Sequence, residues 1–478
     1  MINWGIIGAG RIAHRFAQGL KYEENSRLWA ISGRDKQKLE SFAQEYSCEK
    51  IYTDYQDIID DPQIDAVYIA LPNKYHFWWS KKALENKKSV LCEKPAVVDI
   101  EQAREIIKIA KENDALFMEA MKSLFVPAYD YILKKLAEGI IGDIEKINTE
   151  ICFNLPNLNS DYHFLDSEAG GCLRDSGIYC AALLVDLMGD IKVDKLRANF
   201  NQKDCDVYVE TLLTDGKIKA RMEVGYDRTK ERNAYIKGTK GNLTIKNLHR
   251  PDQMIVEKDG LVQTIDLAYD HDDFYSQIHH FCQLMLENKK ESPIASYDKL
   301  LKEFDLLENI RKDLLDYDES DLEILKKQQE ILQYESFSNN DALILGNELV
   351  RQAESFKGKL AITIVRASDD LILFQHIMET KTHAHEGYMN GKRNCLKLTG
   401  NSSAYCYVED RISEKYASLH GNKDYVLSAG SFPISVNGQL FGYVTVSGMH
   451  EGKDHEVIIK ALEKILNKEV PVFYKALR

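Results

Sequence analysis

The chain has 478 residues, 44% of them apolar and 29% charged, and a formal net charge of -13. At roughly 150 residues per domain, that length predicts about three folded units, and the composition is that of an ordinary globular protein rather than a disordered one. The acidic balance argues against nucleic acid or an anionic membrane surface as the main partner, because both call for a basic face. No apolar stretch reaches the length of a membrane span, and the N-terminus runs into a strand without a leader pattern, so a cytoplasmic protein is expected. The nine cysteines are scattered with no C-x-x-C. They read as reduced packing thiols, and no metal site is expected.

Residues 2–7 (INWGII) predict a buried strand, and Gly8-Ala9-Gly10-Arg11-Ile12-Ala13 is a G-x-G-x-x-A turn opening a helix to about Leu20. Further strand-like runs at 28–32, 65–71, 89–92 and 115–118 alternate with helical stretches such as 100–113. That alternation predicts a doubly wound α/β domain with a parallel sheet over residues 1–120. From Ile144 the pattern becomes long alternating strands, clearest at 217–224 (KIKARMEV), which predicts an open, largely antiparallel sheet in an α+β domain over 121–317. Helices are predicted at 273–288 and 297–315, and four acids within residues 316–321 mark a boundary. A third, small α/β domain over 321–478 is predicted with helices at 322–336, 341–354 and 455–466. Its strands are placed at 360–366, 425–428 and 440–446, and the segment 380–387 reads as a loop.

A glycine turn at the end of a first strand lets the backbone approach a pyrophosphate, which the positive end of the following helix then favours. Gly8, Gly10 and Ala13 suit that turn, and Arg11 and Ile12 begin the helix. The second strand ends at Ser32-Gly33-Arg34, where an NAD-specific site would place an acid. A hydroxyl and a guanidinium there match a 2'-phosphate, so NADP(H) is favoured over NAD(H). The alternative is a surface arginine at a helix start, partly neutralised by Asp35.

With that turn, the segments Leu71-Pro72-Asn73-Lys74-Tyr75-His76, Glu93-Lys94-Pro95, Gly170-Gly171-Cys172-Leu173-Arg174-Asp175-Ser176-Gly177-Ile178-Tyr179 and Gly238-Thr239-Lys240-Gly241 resemble the Gfo/Idh/MocA oxidoreductases. They stand in family order over about two-thirds of the chain. The resemblance implies a Rossmann domain followed by an open-sheet domain that often mediates assembly, so a homo-oligomer is expected. It also implies catalysis by Lys94, Tyr179 and Asp175, with Lys94 often joined to Pro95 by a cis bond. Leu71, Pro72, Asn73, His76, Glu93 and Lys94 would then join the turn residues around the cofactor. Hydride removal from an alcohol carbon needs a base for the hydroxyl proton and a cation for the oxyanion. Tyr179 is read as proton donor and acceptor, Lys94 as the charge that lowers its pKa, and Asp175 as an orienting acceptor.

Many relatives carry histidine where this chain has Tyr179. The tyrosine, with Met118-Glu119-Ala120 and Phe125-Val126-Pro127, resembles the dihydrodiol and aldose dehydrogenase branch, which implies a sugar, cyclic polyol or trans-diol substrate. Two departures stand out: Lys122-Ser123-Leu124 replaces an expected arginine, and Cys172 interrupts a glycine triplet. His163, Met121 and Phe125 are candidate substrate contacts, although a loop histidine without a role is an equal reading of His163. Asn73 and His76 either line the nicotinamide side or, for His76, cap the next helix.

The last domain resembles the HbpS-like, GlcG-like family through Lys392-Arg393-Asn394, Gly430-Ser431-Phe432-Pro433, Gly442-Tyr443-Val444-Thr445-Val446-Ser447-Gly448 and Asp454-His455-Glu456. The resemblance implies a profilin-like fold, oligomers, and heme or a small ligand as a partner. His383 and His385, with His376, His450 or His455, are the residues that would ligate a metal or heme iron, although their spacing fixes no set. His455, beside Asp454 at a helix start, reads better as a cap. A competing reading makes the chain a ligand or heme sensor whose Rossmann part is catalytically idle, and a third makes the last domain an assembly module.

Overall fold

Near-continuous apolar runs make the first strands suited to burial on both faces, as a parallel sheet requires. In the computed structural model, which describes every residue except 202, 204, 316, 357, 450, 451, 474, 476 and 478, they form six strands. These are β1 (Ile2–Ile7), β2 (Ser26–Ser32), β3 (Lys50–Tyr52), β4 (Ala66–Ile69), β5 (Ser89–Glu93) and β6 (Phe117–Ala120), parallel throughout in the order β3-β2-β1-β4-β5-β6. The core joins Trp4, Phe16, Tyr68 and Phe281, with the Phe16 and Tyr68 rings stacked at 3.9 Å. Each such burial contributes about 1.5–3 kcal/mol. The strand order reverses between β1 and β4, and their carboxyl ends stand side by side with Ile7 opposite Ile69. In doubly wound sheets that crevice is where ligands bind.

The second sheet has eight strands: β7 (Ile144–Cys152), β8 (Lys192–Phe200), β9 (Asp206–Thr214), β10 (Lys219–Gly225), β11 (Ala234–Gly238), β12 (Gly241–Lys246), β13 (Gln253–Lys258) and β14 (Leu261–Asp266). Their order is β14-β13-β12-β11-β7-β10-β9-β8, and β7 pairs in parallel with β10 inside an otherwise antiparallel sheet. The helix Gly177–Leu187 is apolar nearly all round, is buried from Gly177 to Leu184, and packs on β7 and β10. That packing fixes where its first turn, and so Tyr179, points.

The last sheet is antiparallel, β15 (Ala361–Arg366), β16 (Ile372–Ile377), β17 (Ser431–Val436) and β18 (Gln439–Ser447), in the order β16-β15-β18-β17. One face shares a core with the helices Asn339–Ser355 and Lys453–Leu466, and the other packs Val365 and Tyr443 on Leu396 of the helix Ala384–Thr399. Two expectations are corrected here. Residues 425–428 form no strand; Tyr425 and Leu427 are apolar because they pack beside Cys395 and Cys406. The stretch read as a loop at 380–387 contains the start of the helix Ala384–Thr399, whose glycines and few apolar residues blur its period. A proline hides β17, tolerated because it is the edge strand beside β18, its far side meeting only an isolated bridge from Val436 to Tyr334 among the described residues.

By contacts the chain divides into two units, Met1–Leu196 with Lys203–Arg311, and Arg197–Gln202 with Lys312–Arg478. Among the described residues no helix is long and apolar enough to cross a membrane.

Candidate active site

Gly8 has φ +103°, and a Cβ there would come within 2.5 Å of the Ala70 carbonyl, so the turn next to β4 tolerates only glycine. Gly10 faces open space and precedes the helix Arg11–Leu20 without any side-chain cap. The leading N–H groups of that helix therefore face the space a pyrophosphate would fill, and the residues fit a dinucleotide. Arg34 is exposed at the edge of a cleft of about 860 Å³ lined also by Tyr55, Leu71 to Tyr75, Trp79, His163 and Asp166. Asp35 does not neutralise it: its carboxylate accepts the Lys38 N–H as a helix cap, and Arg34 forms no ion pair among the described residues. Ser32 is different. It is fully buried, and its hydroxyl donates to the Ile6 carbonyl, so it offers no free hydroxyl to a phosphate.

The Lys94–Pro95 bond is cis. Lys94 Nζ donates to Asp175 Oδ1 at 2.6 Å and to the Asp175 carbonyl at 2.8 Å, and stands 5.1 Å from the centre of the Tyr179 ring. The Tyr226 hydroxyl holds the other oxygen, Asp175 Oδ2, at 2.9 Å. Burial alone would raise the Asp175 pKa, but the Lys94 ammonium outweighs it and the carboxylate lies below its ordinary range. Burial pulls Lys94 down, and Asp175, Tyr179 and Glu93 more than restore it. Tyr179 corrects the expectation of a lowered phenol. Burial pushes it up, Lys94 opposes, and the carboxylates of Glu93, Asp175 and Asp273 push further, so it stays protonated at neutral pH. The charge of Lys94 is largely committed to Asp175.

Comparison with known proteins sets this geometry in context. Residues 2–121 match the family model described as oxidoreductase family, NAD-binding Rossmann fold, and residues 129–244 match the GFO/IDH/MocA C-terminal domain. The chain is 30% identical over 324 residues to trans-1,2-dihydrobenzene-1,2-diol dehydrogenase of Mus musculus, covering 65% of this chain and 96% of that protein. The chain belongs to the Gfo/Idh/MocA family. As a member it is a nicotinamide-dependent dehydrogenase acting on CH–OH groups. It is also 27% identical to scyllo-inositol 2-dehydrogenase (NADP(+)) IolU of Bacillus subtilis (strain 168), over 66% of this chain and 97% of that one. Among solved structures, KijD10, a 3-ketoreductase from Actinomadura kijaniata in complex with TDP-benzene and NADP, superposes with TM-score 0.58 at 26% identity, covering 65% of this chain and 96% of that one. Residues 337–463 match a model described as haem degrading protein HbpS-like.

Within this Gfo/Idh/MocA frame, the supporting residues explain the motifs. Gly171 has φ +99°, and a Cβ there would meet Asp206 Oδ1 at 2.0 Å; Asp206 in turn accepts the Leu173 N–H at 2.8 Å. The turn that delivers Asp175 therefore depends on a glycine and on an aspartate from another strand. His76 is not a helix cap. It is buried, its ring nitrogens lie 2.8 Å from the Pro95 carbonyl and 2.6 Å from the Leu71 carbonyl, and it ties the two cleft turns together. Asn73 donates to the Ala169 carbonyl at 3.1 Å, and Glu93 accepts the Tyr68 hydroxyl.

The candidate substrate residues divide. His163 lines the cleft with its side chain largely exposed; partial desolvation of the ring lowers its pKa, Asp175 opposes that and Lys94 adds to it. Met121 is fully buried, and the Phe125 ring packs 5.0 Å from His280, so these two serve packing. Lys122 pairs with Asp273, which also takes Arg15. Sequence reading missed Tyr226, Asp206, Asp273 and His249; the His249 ring stands 6.2 Å from Tyr179, and its buried Nδ1 has no hydrogen-bond partner among the described residues.

In the second unit the histidines do not converge among the described residues. His383 meets Glu386 at 2.6 Å, His385 accepts the Thr382 N–H, and His376 is exposed on β16. His450 lies outside the described residues. His455 is buried and bonds Gln328 at 2.8 Å, while Gly452 occupies the cap position, so the capping reading is corrected.

Proposed function

We propose that this enzyme transfers a hydride between NADP(H) and a hydroxyl-bearing carbon of a sugar, cyclic polyol or trans-diol. The observation that carries the reading is the partly buried Lys94 ammonium held on Asp175 beneath the Tyr179 ring. When bound, the nicotinamide coenzyme supplies or accepts the hydride. Tyr179 gives its proton to the carbonyl oxygen in reduction and takes the hydroxyl proton in oxidation, while Lys94 stabilises the charge on that oxygen. Asp175, fixed by Tyr226, keeps Lys94 aimed. Because its surroundings hold Tyr179 protonated, the phenol stands ready for reduction. Oxidation needs the phenolate, so its rate should climb with pH while the reductive rate holds until strongly alkaline conditions. Support for NADP(H) comes from exposed Arg34 without an ion pair among the described residues, and from relatives described as NADP-linked or solved with NADP.

The test is steady-state turnover of the full chain with NADP+ and NAD+ against aldoses, inositols and trans-diols, and with NADPH against the matching ketones. Turnover with several polyols and a preference for NADP(H) is expected. Failure in both directions across the panel would overturn the reading.

A further inference from the structure

Two buried carboxyl groups that the reaction above does not use line one small cavity. Glu119, on β6, is 4% exposed and accepts the N–H of Ala96, two residues beyond Lys94, at 2.8 Å. Glu303, on the helix Tyr297–Leu315, is 2% exposed, and its Oε1 has no hydrogen-bond partner among the described residues. Both border a cavity of about 10 Å³, walled by Phe117, Met118, Leu124 and Leu300, which has room for about one water.

The surrounding charges cannot neutralise two carboxylates. Lys299 lines the same cavity but is bound to Asp186, which also accepts the Tyr129 hydroxyl at 2.7 Å. Lys94 is committed to Asp175 and Lys122 to Asp273, while Glu93 adds a further negative charge held by Tyr68. An unpaired buried carboxylate is costly enough that a proton is retained instead. We propose that Glu119 and Glu303 hold one proton between them across this cavity, and that Glu119, through the Ala96 N–H, is a positioning residue for Lys94. The role assigned to Lys94 above is assumed. Burial raises the pKa of both groups, and in Glu303 the neighbouring Glu119 adds to it. With one proton shared, Glu119 keeps carboxylate character and grips the turn that carries Lys94; a second proton at lower pH weakens that grip. Glu303, on a helix outside the Rossmann sheet, thereby governs the charge on a residue inside it.

The experiment pairs infrared spectroscopy with pH profiles of kcat and KM for the full chain, Glu119→Gln and Glu303→Gln. At neutral pH the wild-type protein should show the carbonyl stretch of a buried protonated carboxyl, shifted in heavy water and missing from the Glu303→Gln difference spectrum. Its kcat should fall about tenfold per unit on the acid side. Glu119→Gln should flatten that limb with KM for coenzyme unchanged, because an amide oxygen accepts from Ala96 at every pH. Absence of the band overturns the shared proton, and an unaltered acid limb in Glu119→Gln overturns the positioning role while leaving Lys94 as assigned. If neither variant folds, titration of the wild-type band decides the proton. If no polyol or ketone turns over, the positioning role falls with the reading of Lys94, and the band still decides the proton.

Discussion

Each unit of the molecule contains a lysine–aspartate pair, Lys94 with Asp175 at 2.6 Å and Lys392 with Asp454 at 2.7 Å. The second is sealed, with side chains 6% and 4% exposed; Asp454 also accepts the Met449 N–H, and Lys392 also reaches the Val446 carbonyl. The first is more open, at 15% and 24%, and has a protonated phenol as its neighbour. The same ion pair is therefore structural where it is sealed from solvent and tied to backbone partners. It becomes chemical where access and a transferable proton remain.

The comparison breaks if the pairs respond alike to loss of the lysine. Lys94→Met should lower kcat by about a thousandfold, on the scale of removing a group that stabilises an oxyanion, as measured by steady-state turnover. Lys392→Met should leave turnover of the folded protein unchanged and cost about 3–5 kcal/mol in denaturant unfolding, because Asp454 stays buried without its cation. Equal losses of turnover in both variants would refute the distinction. Arg34→Ala sharpens the cofactor side: the Kd for NADP+ should rise about ten- to a hundredfold, with NAD+ little affected, by calorimetry.

The smallest effect is one of pH. Burial holds His455 at about 4, below the ordinary imidazole value, so the native state keeps it neutral while the unfolded chain takes a proton. Its contribution to stability is then complete above the unfolded value of about 6.5 and is lost as pH falls toward 4. His455→Gln should reduce the slope of stability against pH across that window; an unchanged slope would contradict the assignment.

Much of the first unit was legible because its chemistry lies in local patterns. The glycine turn, Glu93-Lys94-Pro95 and the run ending at Tyr179 each sit where a strand or helix end requires them. What was hidden comes from residues distant in sequence. Asp206, Tyr226 and Asp273 are single residues at the start of a strand, just past the end of one and before a helix, and only folding brings them to Gly171, Asp175 and Lys122. The raised pKa of Tyr179 has the same kind of origin: the sequence shows Lys94 as a partner, but not the burial of the phenol, which outweighs that charge and to which Glu93, Asp175 and Asp273 add. In the second unit, Pro433 and the glycines of the helix Ala384–Thr399 masked both a strand and a helix. There the paired histidines of 383–386 drew attention that their surface placement does not support.

The central claim is that Tyr179 moves the proton while Lys94 holds the charge. Single-turnover hydride transfer in Tyr179→Phe, beside NADP+ binding by the same protein, tests it most directly. A loss of about a hundredfold to ten-thousandfold in the transfer rate, with coenzyme affinity retained, is the predicted result. Transfer at the wild-type rate in that variant would contradict the account.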